Sequence, residues 1–226
     1  MKRLKEIIER FIPRYALLPL VLCPIVNLVA FWGSRLFLDP NRYMELGLPI
    51  DNMIPFMPEW ISVYILAFVF WIVNFWLIAR ESREKCGVLF GEYISKLVCM
   101  VFFILMPTTI YRPKLHGGGI WIWLTRFIYA FDLPDNLFPS IHCLDSWFCW
   151  RGLFGAKKVG GWYKAFSLVF AIAVFASTVL VKQHYVADII GAVIVAEVGL
   201  FAAKKLRLGE RYAAWCDRHN MPEQSR

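Results

Sequence analysis

The sequence predicts an all-α integral membrane protein with six transmembrane helices and both termini in the cytoplasm. Hydrophobic residues make up 59% of the 226-residue chain, and its mean hydropathy is +0.53. Soluble domains average about 45–50% apolar residues, so a soluble fold of this size could not bury so much apolar surface. The aromatic content of 17% points the same way, because aromatic side chains gather at both lipid interfaces of membrane proteins.

A transmembrane helix needs about 20 mostly apolar residues. Five stretches meet this length, namely 16–37, 60–79, 92–111, 162–181 and 185–203. A sixth stretch, 140–155, is less apolar because His142 and Asp145 lie near its start. It is included because the basic loops all fall on the cytoplasmic side only if this stretch also crosses the membrane. The membrane domain is therefore predicted at 16–205, after a cytoplasmic amphipathic segment at 1–15 and before a polar cytoplasmic tail at 206–226 that is expected to be loose after Tyr212.

The sides of the membrane follow from lysine and arginine, which concentrate in the cytoplasmic loops of membrane proteins. These residues cluster at 1–14, 80–85, 151–164 and 204–211, whereas the loop 38–59 is acidic. The loops 38–59, 112–139 and 182–184 are then outside. The net charge of +8 is explained by this topology, and nucleic-acid binding is disfavoured because no basic stripe lies on a soluble element.

The six cysteines have no CxxC spacing, and most of them lie within apolar runs. They are predicted to be small buried side chains rather than disulfide partners or zinc ligands. The N-terminus is basic and then apolar but lacks a convincing small-residue cleavage site. We interpret it as an uncleaved first span rather than a signal peptide.

Three polar segments, 111–119, 132–142 and 181–188, fall at the predicted outer surface of the membrane. Ionisable residues at membrane depth are costly and indicate function by default. His184 and Asp188 are spaced i, i+4, so their side chains are predicted to be neighbours on one helix face. The aspartate would fix the imidazole tautomer and leave the other ring nitrogen free to attack. His142 would supply general acid–base catalysis.

Other residues in these segments suit a phosphate. Arg112 offers a rigid fork of donors, and Lys182 could add a second cation. Pro139 and Ser140 precede the fourth span, where backbone N–H groups and the serine hydroxyl can bind an anion. Together these residues predict a phosphoryl-transfer site. The sequence has no carboxylate cluster typical of a magnesium site, so we predict that the chemistry needs no metal and no other cofactor.

Each of these residues also has a structural interpretation. A lone interfacial histidine such as His184 is often an anchor, Arg112 alone could extend to the headgroups, and Asp188 could pair with Lys182. The prediction of a functional site therefore rests on the coincidence of three segments at one level of the bilayer.

Two features are left open by the sequence. Asp145, one turn after His142, either orients that histidine, touches a headgroup or faces a wet cavity. The glycine run 117–119 is more typical of a flexible loop than of a phosphate cradle, because no helix with the required Lys-Ser/Thr follows it.

The segments YRP at 111–113, FPSIH at 138–142 and HYVAD at 184–188 resemble the three motifs of the type 2 phosphatidic acid phosphatase family of membrane lipid phosphatases. The resemblance covers roughly residues 60–205, and the order of the motifs and their side of the membrane match. It implies a phosphohistidine intermediate on His184, oriented by Asp188. It also implies that His142 protonates the leaving group and that Arg112 and the region of Ser140 hold the phosphate.

The sequence departs from these motifs at three positions. Leu105, Ile141 and Thr178 stand where the family has a lysine, a glycine and an arginine, so two phosphate-binding cations are missing. Lys182 and Lys114 are candidate replacements. This pattern is similar to the branch that contains inositol phosphorylceramide synthase and sphingomyelin synthase, enzymes that move a phosphorylated headgroup between lipids.

Three functions are therefore considered, each with a phosphorylated lipid as partner. The first is a lipid phosphatase at the extracytoplasmic face that hydrolyses a phosphate monoester or diphosphate. The second is a lipid phosphotransferase that uses the same histidine and an alcohol acceptor. The third is a non-catalytic lipid transporter, which is disfavoured because the sequence shows no repeated halves and no broken helices at the midplane.

Overall fold

The computed structural model describes residues 9, 11–221 and 223, and no β-strand forms among them. The α-helices are α1 (Arg14–Leu28), α2 (Ile61–Glu81), α3 (Gly87–Leu105), α4 (Ile120–Phe131), α5 (Ile141–Gly152), α6 (Gly161–Leu180), α7 (Val186–Lys205) and α8 (Leu208–Arg218). α1 continues as a π-helical turn, Val29–Gly33, and a 3₁₀ turn, Ser34–Phe37. Further 3₁₀ turns are Pro40–Arg42, Pro49–Asn52, Pro58–Trp60 and Glu84–Cys86. Most of the predicted amphipathic segment at 1–15 lies outside the described residues.

Five helical segments are long and apolar enough to cross a membrane. They are Arg14–Phe37, Pro58–Glu81, Glu84–Leu105, Gly161–Leu180 and Val186–Lys205. Large apolar side chains remain exposed on their outer faces, such as Val69 and Ile72 of α2 and Ile194 of α7. A helix that is apolar all round suits contact with lipid on one side and protein on the other. The fold is therefore all-helical, with membrane-capable helices, as the composition predicts.

The sixth predicted span, 140–155, is a short central helix and does not belong to these five. α5 has 12 residues, or about 18 Å at 1.5 Å per residue, whereas the hydrocarbon core of a bilayer is about 30 Å thick. α5 packs among α2, α3, α6 and α7, and its polar residues Asp145 and Ser146 are buried. A helix of low hydropathy fits here because protein, rather than lipid, surrounds it.

The third predicted span, 92–111, is displaced along the chain. α3 ends at Leu105, and Met106 leaves the helical region with φ −132° and ψ 67°. Proline disfavours the α conformation of the residue before it, so Pro107 ends the helix. At the other end the helix begins earlier than predicted, at Gly87, and Glu92 and Lys96 lie inside it, buried against each other. Hydropathy counts such a pair as if it faced lipid.

The segment 112–139, predicted as an outer loop, contains α4. Trp123, Phe127 and Phe131 are exposed on this helix, while Thr125 is buried. α4 contacts α2 and the turn Pro58–Trp60, so it covers one end of the bundle. A helix with exposed aromatic residues is typical of a membrane interface. Its 12 residues are too few to register as a span in a hydropathy window.

The C-terminal tail, predicted to be loose after Tyr212, is helical up to Arg218. Tyr212 and Cys216 are spaced i, i+4 in α8 and both are buried. The Tyr212 hydroxyl donates a hydrogen bond to the carbonyl of Tyr15. The apolar stripe of a short amphipathic helix therefore holds this polar segment against the bundle.

The interface between α3 and α7 is close because both helices have glycine there. A Cβ atom at Gly199 would lie 2.0 Å from Ser95 Oγ and 2.5 Å from the carbonyl oxygen of Gly91. We expect Gly199→Ala to lower the free energy of unfolding by about 1–3 kcal/mol, which a lower thermal midpoint in detergent would reveal. Gly118→Ala is the control, because open space surrounds that position. Equal midpoints for the two variants would contradict the packing.

Candidate active site

Two histidines meet at one end of the bundle, where α5 and α7 begin. His142 lies in the first turn of α5, and His184 lies two residues before α7. The centroids of their rings are 6.1 Å apart. The backbone N–H of Ser140 donates to the carbonyl of Asp188 at 3.2 Å, which ties the two helix starts together. Two of the three predicted polar segments are therefore adjacent in space.

The predicted contact between His184 and Asp188 is present, but it does not run along one helix face. Asp188 Oδ2 lies 3.1 Å from His184 Nδ1 and accepts the backbone N–H of Tyr185 at 2.9 Å. Because His184 precedes the helix, the carboxylate caps the helix start and holds the imidazole at the same time. The backbone N–H of His184 donates to the carbonyl of Thr178 at 3.1 Å. With Nδ1 occupied, Nε2 is the nitrogen left for a substrate.

His142 lies in an aromatic environment. Its ring stacks on Tyr64 with centroids 4.2 Å apart, and the edges of Phe68 and Trp71 are close to it. The Tyr64 hydroxyl donates to Asp132 Oδ2 at 2.7 Å and lies 3.4 Å from His142 Nδ1. Since that hydroxyl has one proton and gives it to the carboxylate, it accepts from Nδ1–H. His142 Nε2 is buried and has no partner among the described residues.

Arg112, from the remaining polar segment, 111–119, reaches this region and is bound mainly by protein acceptors. Its guanidinium donates to the carbonyls of Tyr129 at 3.2 Å and Asp132 at 2.6 Å. It also donates to the side-chain oxygen of Gln183. Burial lowers the pKa of the guanidinium, and the Asp132 carboxylate partly offsets this effect. Arg112 therefore joins the segment before α4, the end of α4 and the turn before α7, and its buried Nε has no partner among the described residues.

Lys182 and Lys114 were predicted to bind substrate, but neither lysine lines the cavity beside the two histidines. Lys182 Nζ donates to the carbonyls of Ile54 at 2.6 Å and Asp51 at 3.2 Å, so it holds the loop before α2. Burial lowers the pKa of Lys182, and the nearby Asp51 raises it. Lys114 is exposed on the extended segment before α4. The sequence could not distinguish these positions, because a lysine side chain is long enough to reach several partners.

Ser140 and Pro139 lie at the start of α5, as predicted, but the serine side chain is used by the helix itself. Its hydroxyl oxygen accepts the backbone N–H of Cys143 at 3.3 Å, which is an ordinary N-cap. The peptide bond between Phe138 and Pro139 is cis. Both residues are buried, so a phosphate-binding role for either of them stays a prediction.

A cavity of about 220 Å³ adjoins the two histidines. Its lining is mostly apolar and aromatic and consists of Asn27, Phe31, Trp32, Tyr64, Phe68, Trp71, Ile128, Phe131, Asp132, Asp135, Asn136, Leu137, Ile141, His142 and His184. The lining includes two carboxyl groups but neither lysine nor arginine. Asp135 pairs with Arg35 at 2.7 Å. Burial raises the pKa of Asp135, and Arg35 partly reverses this shift.

Three residues of this region were not among the predicted site residues. Gln183 is 1% exposed, and its side-chain nitrogen is buried without a partner among the described residues. Because Gln183 directly precedes His184, the sequence alone could have marked it as a candidate site residue. Asp132 lies in one of the three predicted polar segments, but nothing in the sequence connects it to His142. Tyr64 lies inside an apolar run and gives no signal, because an aromatic residue there usually packs in the core.

The glycine run at 117–119 is exposed and lies outside the cavity lining, as expected for a loop. In the part of the chain that the structure describes, no group of three or more His, Cys, Asp or Glu side chains could hold a metal ion. All six cysteines are buried, as predicted, and have free thiols. No family model, no curated protein and no solved structure matches this chain.

Proposed function

We propose that this protein is an integral membrane lipid phosphatase that works through a phosphohistidine on His184. The observation that carries this proposal is the pair formed by His184 and Asp188, 3.1 Å apart, beside an aromatic cavity that also includes His142. A nucleophile oriented by a carboxylate, with a second acid–base group nearby, is the arrangement that covalent catalysis requires.

The proposed reaction has two steps. In the first, His184 Nε2 attacks the phosphorus atom, the N–P bond forms, and the P–O bond to the lipid alcohol breaks. His142 gives its proton to the departing oxygen. In the second step, water loses a proton to His142 and attacks phosphorus, so the N–P bond breaks and phosphate leaves. Because Nδ1–H of His142 faces the Tyr64 hydroxyl, Nε2 carries the proton to be transferred only when the ring is an imidazolium.

The proposal includes six crossings with both termini in the cytoplasm and the active site at the extracytoplasmic face. In this topology α5 is the fourth crossing, short and enclosed by protein. The acidic loop before α2 and the segment that holds α4 are outside, whereas the basic residues after α7, such as Lys204 and Lys205, are inside. Lysine and arginine in short loops favour the cytoplasmic side, which supports this orientation.

A second candidate function, lipid phosphotransfer, is favoured by the charge of the cavity. Asp132 and Asp135 line it, whereas lysine and arginine are absent from its lining. A phosphodiester carries one negative charge and a monoester carries up to two, so a site with few cations suits a diester better. The same His184 adduct would then retain the phosphorylated headgroup, and an alcohol would replace water in the second step.

Product analysis tests both functions. Purified protein in EDTA is incubated with phosphatidic acid, phosphatidylglycerol phosphate, undecaprenyl diphosphate and phosphodiester lipids, with and without an added alcohol. Release of inorganic phosphate by the wild type and not by His184→Ala supports the phosphatase. A new diester that forms only with the alcohol supports the transferase. Activity that disappears with EDTA contradicts a metal-independent mechanism, and no product from any lipid contradicts both functions.

Arg112 provides a further prediction. Arg112→Lys is expected to lower the rate of phosphate-ester cleavage by about 10²-fold, because a lysine cannot hold three acceptors in one plane and the turn that carries His184 would shift. The matched control is Arg126→Lys. Arg126 also donates to backbone carbonyls, those of Leu115 and Gly117, but these lie in the segment before α4 and not in the turn that carries His184. Equal rates for the two variants would show that Arg112 does not position the site.

A further inference from the structure

A second group of ionisable side chains lies in the interior of the bundle, apart from the active site. Glu92 and Lys96 are on α3, and Asp145 is on α5. The side chains of Lys96, Glu92 and Asp145 are 2%, 0% and 4% exposed. Lys96 lies near the middle of α3, so in a membrane this group would sit near the bilayer midplane. The proposed reaction uses none of these side chains.

Lys96 makes two ion pairs in this group. Its Nζ contacts Glu92 one helical turn away and lies 3.1 Å from Asp145 Oδ2. Asp145 therefore pairs with Lys96 of α3, which answers the question that the sequence left open. Two carboxylates and one ammonium carry a net charge of −1, and a net charge buried away from water is strongly disfavoured.

The two carboxyl groups also face each other. Glu92 Oε1 and Asp145 Oδ2 both contact the same Lys96 Nζ, which places the two carboxyl groups side by side. Glu92 Oε1 contacts the Lys96 ammonium, whereas Glu92 Oε2 and Asp145 Oδ1 are buried without a hydrogen-bond donor among the described residues. Two ionised carboxylates can only accept hydrogen bonds, so a direct bond between them requires a proton. Carboxyl groups that share a site hold one proton in common for this reason.

The surroundings offer no other compensating charge in the part of the chain that the structure describes. The titratable side chains that face the group are Cys23 of α1, Tyr93 and Cys99 of α3 and Cys149 of α5. All four are buried and are uncharged in their protonated forms. A proton is therefore the simplest ligand that brings the group to zero charge.

We propose that Glu92, Lys96 and Asp145 form an intramembrane proton-binding site, in which one proton shared by the two carboxyl groups leaves a neutral cluster that joins α3 to α5. This inference goes beyond the proposed enzymatic function and does not depend on it. The neutral cluster fixes α5, and His142 lies one turn from Asp145 on that helix. Asp145 and Glu92 are absent from the cavity lining.

Infrared spectroscopy of the purified full-length protein tests the proton directly. At neutral pH the wild type is expected to show a C=O stretching band of a protonated carboxyl group. Glu92→Gln and Asp145→Asn should each abolish this band, because the single remaining carboxylate pairs with Lys96 and ionises. Glu197→Gln is the matched control, since Glu197 is paired with Arg151 and should not contribute to the band. A band that survives in both cluster variants, or is absent from the wild type, overturns the proposal.

Thermal unfolding distinguishes the charge balance of the cluster from a purely structural role of each side chain. Each single amide variant keeps the cluster neutral, so its midpoint should stay near that of the wild type. The double variant Glu92→Gln/Asp145→Asn leaves Lys96 as an unpaired buried cation and should unfold at a lower temperature. Adding Lys96→Met to the double variant should restore the midpoint. A double variant as stable as the wild type would contradict the charge balance, whatever the enzymatic assays show.

Discussion

Replacing His184 with alanine is expected to lower the rate of lipid phosphate-ester cleavage by about 10⁶-fold, because removal of a catalytic nucleophile has effects of this size. Without the imidazole no N–P bond can form, and the carboxylate of Asp188 has nothing to orient. The rate is measured as product formation by purified protein in detergent. His116→Ala is the control, because His116 is exposed and lies outside the cavity.

The loss has meaning only if the variant folds. His184 is 6% exposed, so its removal leaves a space beside the start of α7. Thermal midpoints of the wild type and the variant must therefore be compared in the same detergent. A folded His184→Ala protein that keeps more than about a hundredth of the wild-type rate would show that another group forms the covalent bond or that no such bond is needed.

The second large effect is expected for Asp188→Asn, which should lower the rate of lipid phosphate-ester cleavage by about 10⁴-fold. A loss of this size is known for enzymes in which the carboxylate that orients a catalytic histidine is replaced by an amide. An asparagine can still accept the backbone N–H of Tyr185, so the start of α7 should persist. Because one oxygen, Oδ2, makes both contacts, an amide oxygen in its place can also keep the bond to His184 Nδ1, but the neutral amide no longer stabilises the positive charge that forms on the imidazole.

A matched control is available in the same helix. Glu197 also makes buried or half-buried hydrogen bonds, to Trp147 at 2.7 Å and to Arg151, but it lies away from the cavity. Glu197→Gln should therefore leave the rate nearly unchanged. Similar rates for Asp188→Asn and Glu197→Gln would mean that Asp188 serves only to cap α7.

The sequence predicted part of the geometry of the site. The i, i+4 spacing predicted the contact between His184 and Asp188, although the structure achieves it by capping rather than along a helix. The proximity of His142 followed only from membrane sidedness, because it lies 42 residues earlier in the chain. The partners of Lys182 could not be predicted, since its side chain donates to the carbonyls of Asp51 and Ile54, in a loop far away in sequence.

The fold departs from prediction where hydropathy treats every helix as lipid-facing. α5 is too polar to score as a span, yet it is enclosed by other helices. The pair of Glu92 and Lys96 lowers the hydropathy of the first half of α3, although the pair is buried in protein. α4 is apolar but too short to register. Burial against protein is a tertiary property, so a window of sequence does not contain it.

The central claim is that His184 carries the phosphoryl group, and mass spectrometry of the trapped protein tests it most directly. Wild-type protein is mixed with the lipid substrate, quenched rapidly in alkali, which preserves phosphohistidine, and digested. Our account predicts an adduct on the peptide that contains His184, absent from His184→Ala. Its mass would equal a phosphoryl group for the phosphatase and a phosphorylated headgroup for the transferase. An adduct on any other residue, or turnover without any adduct, would contradict the account.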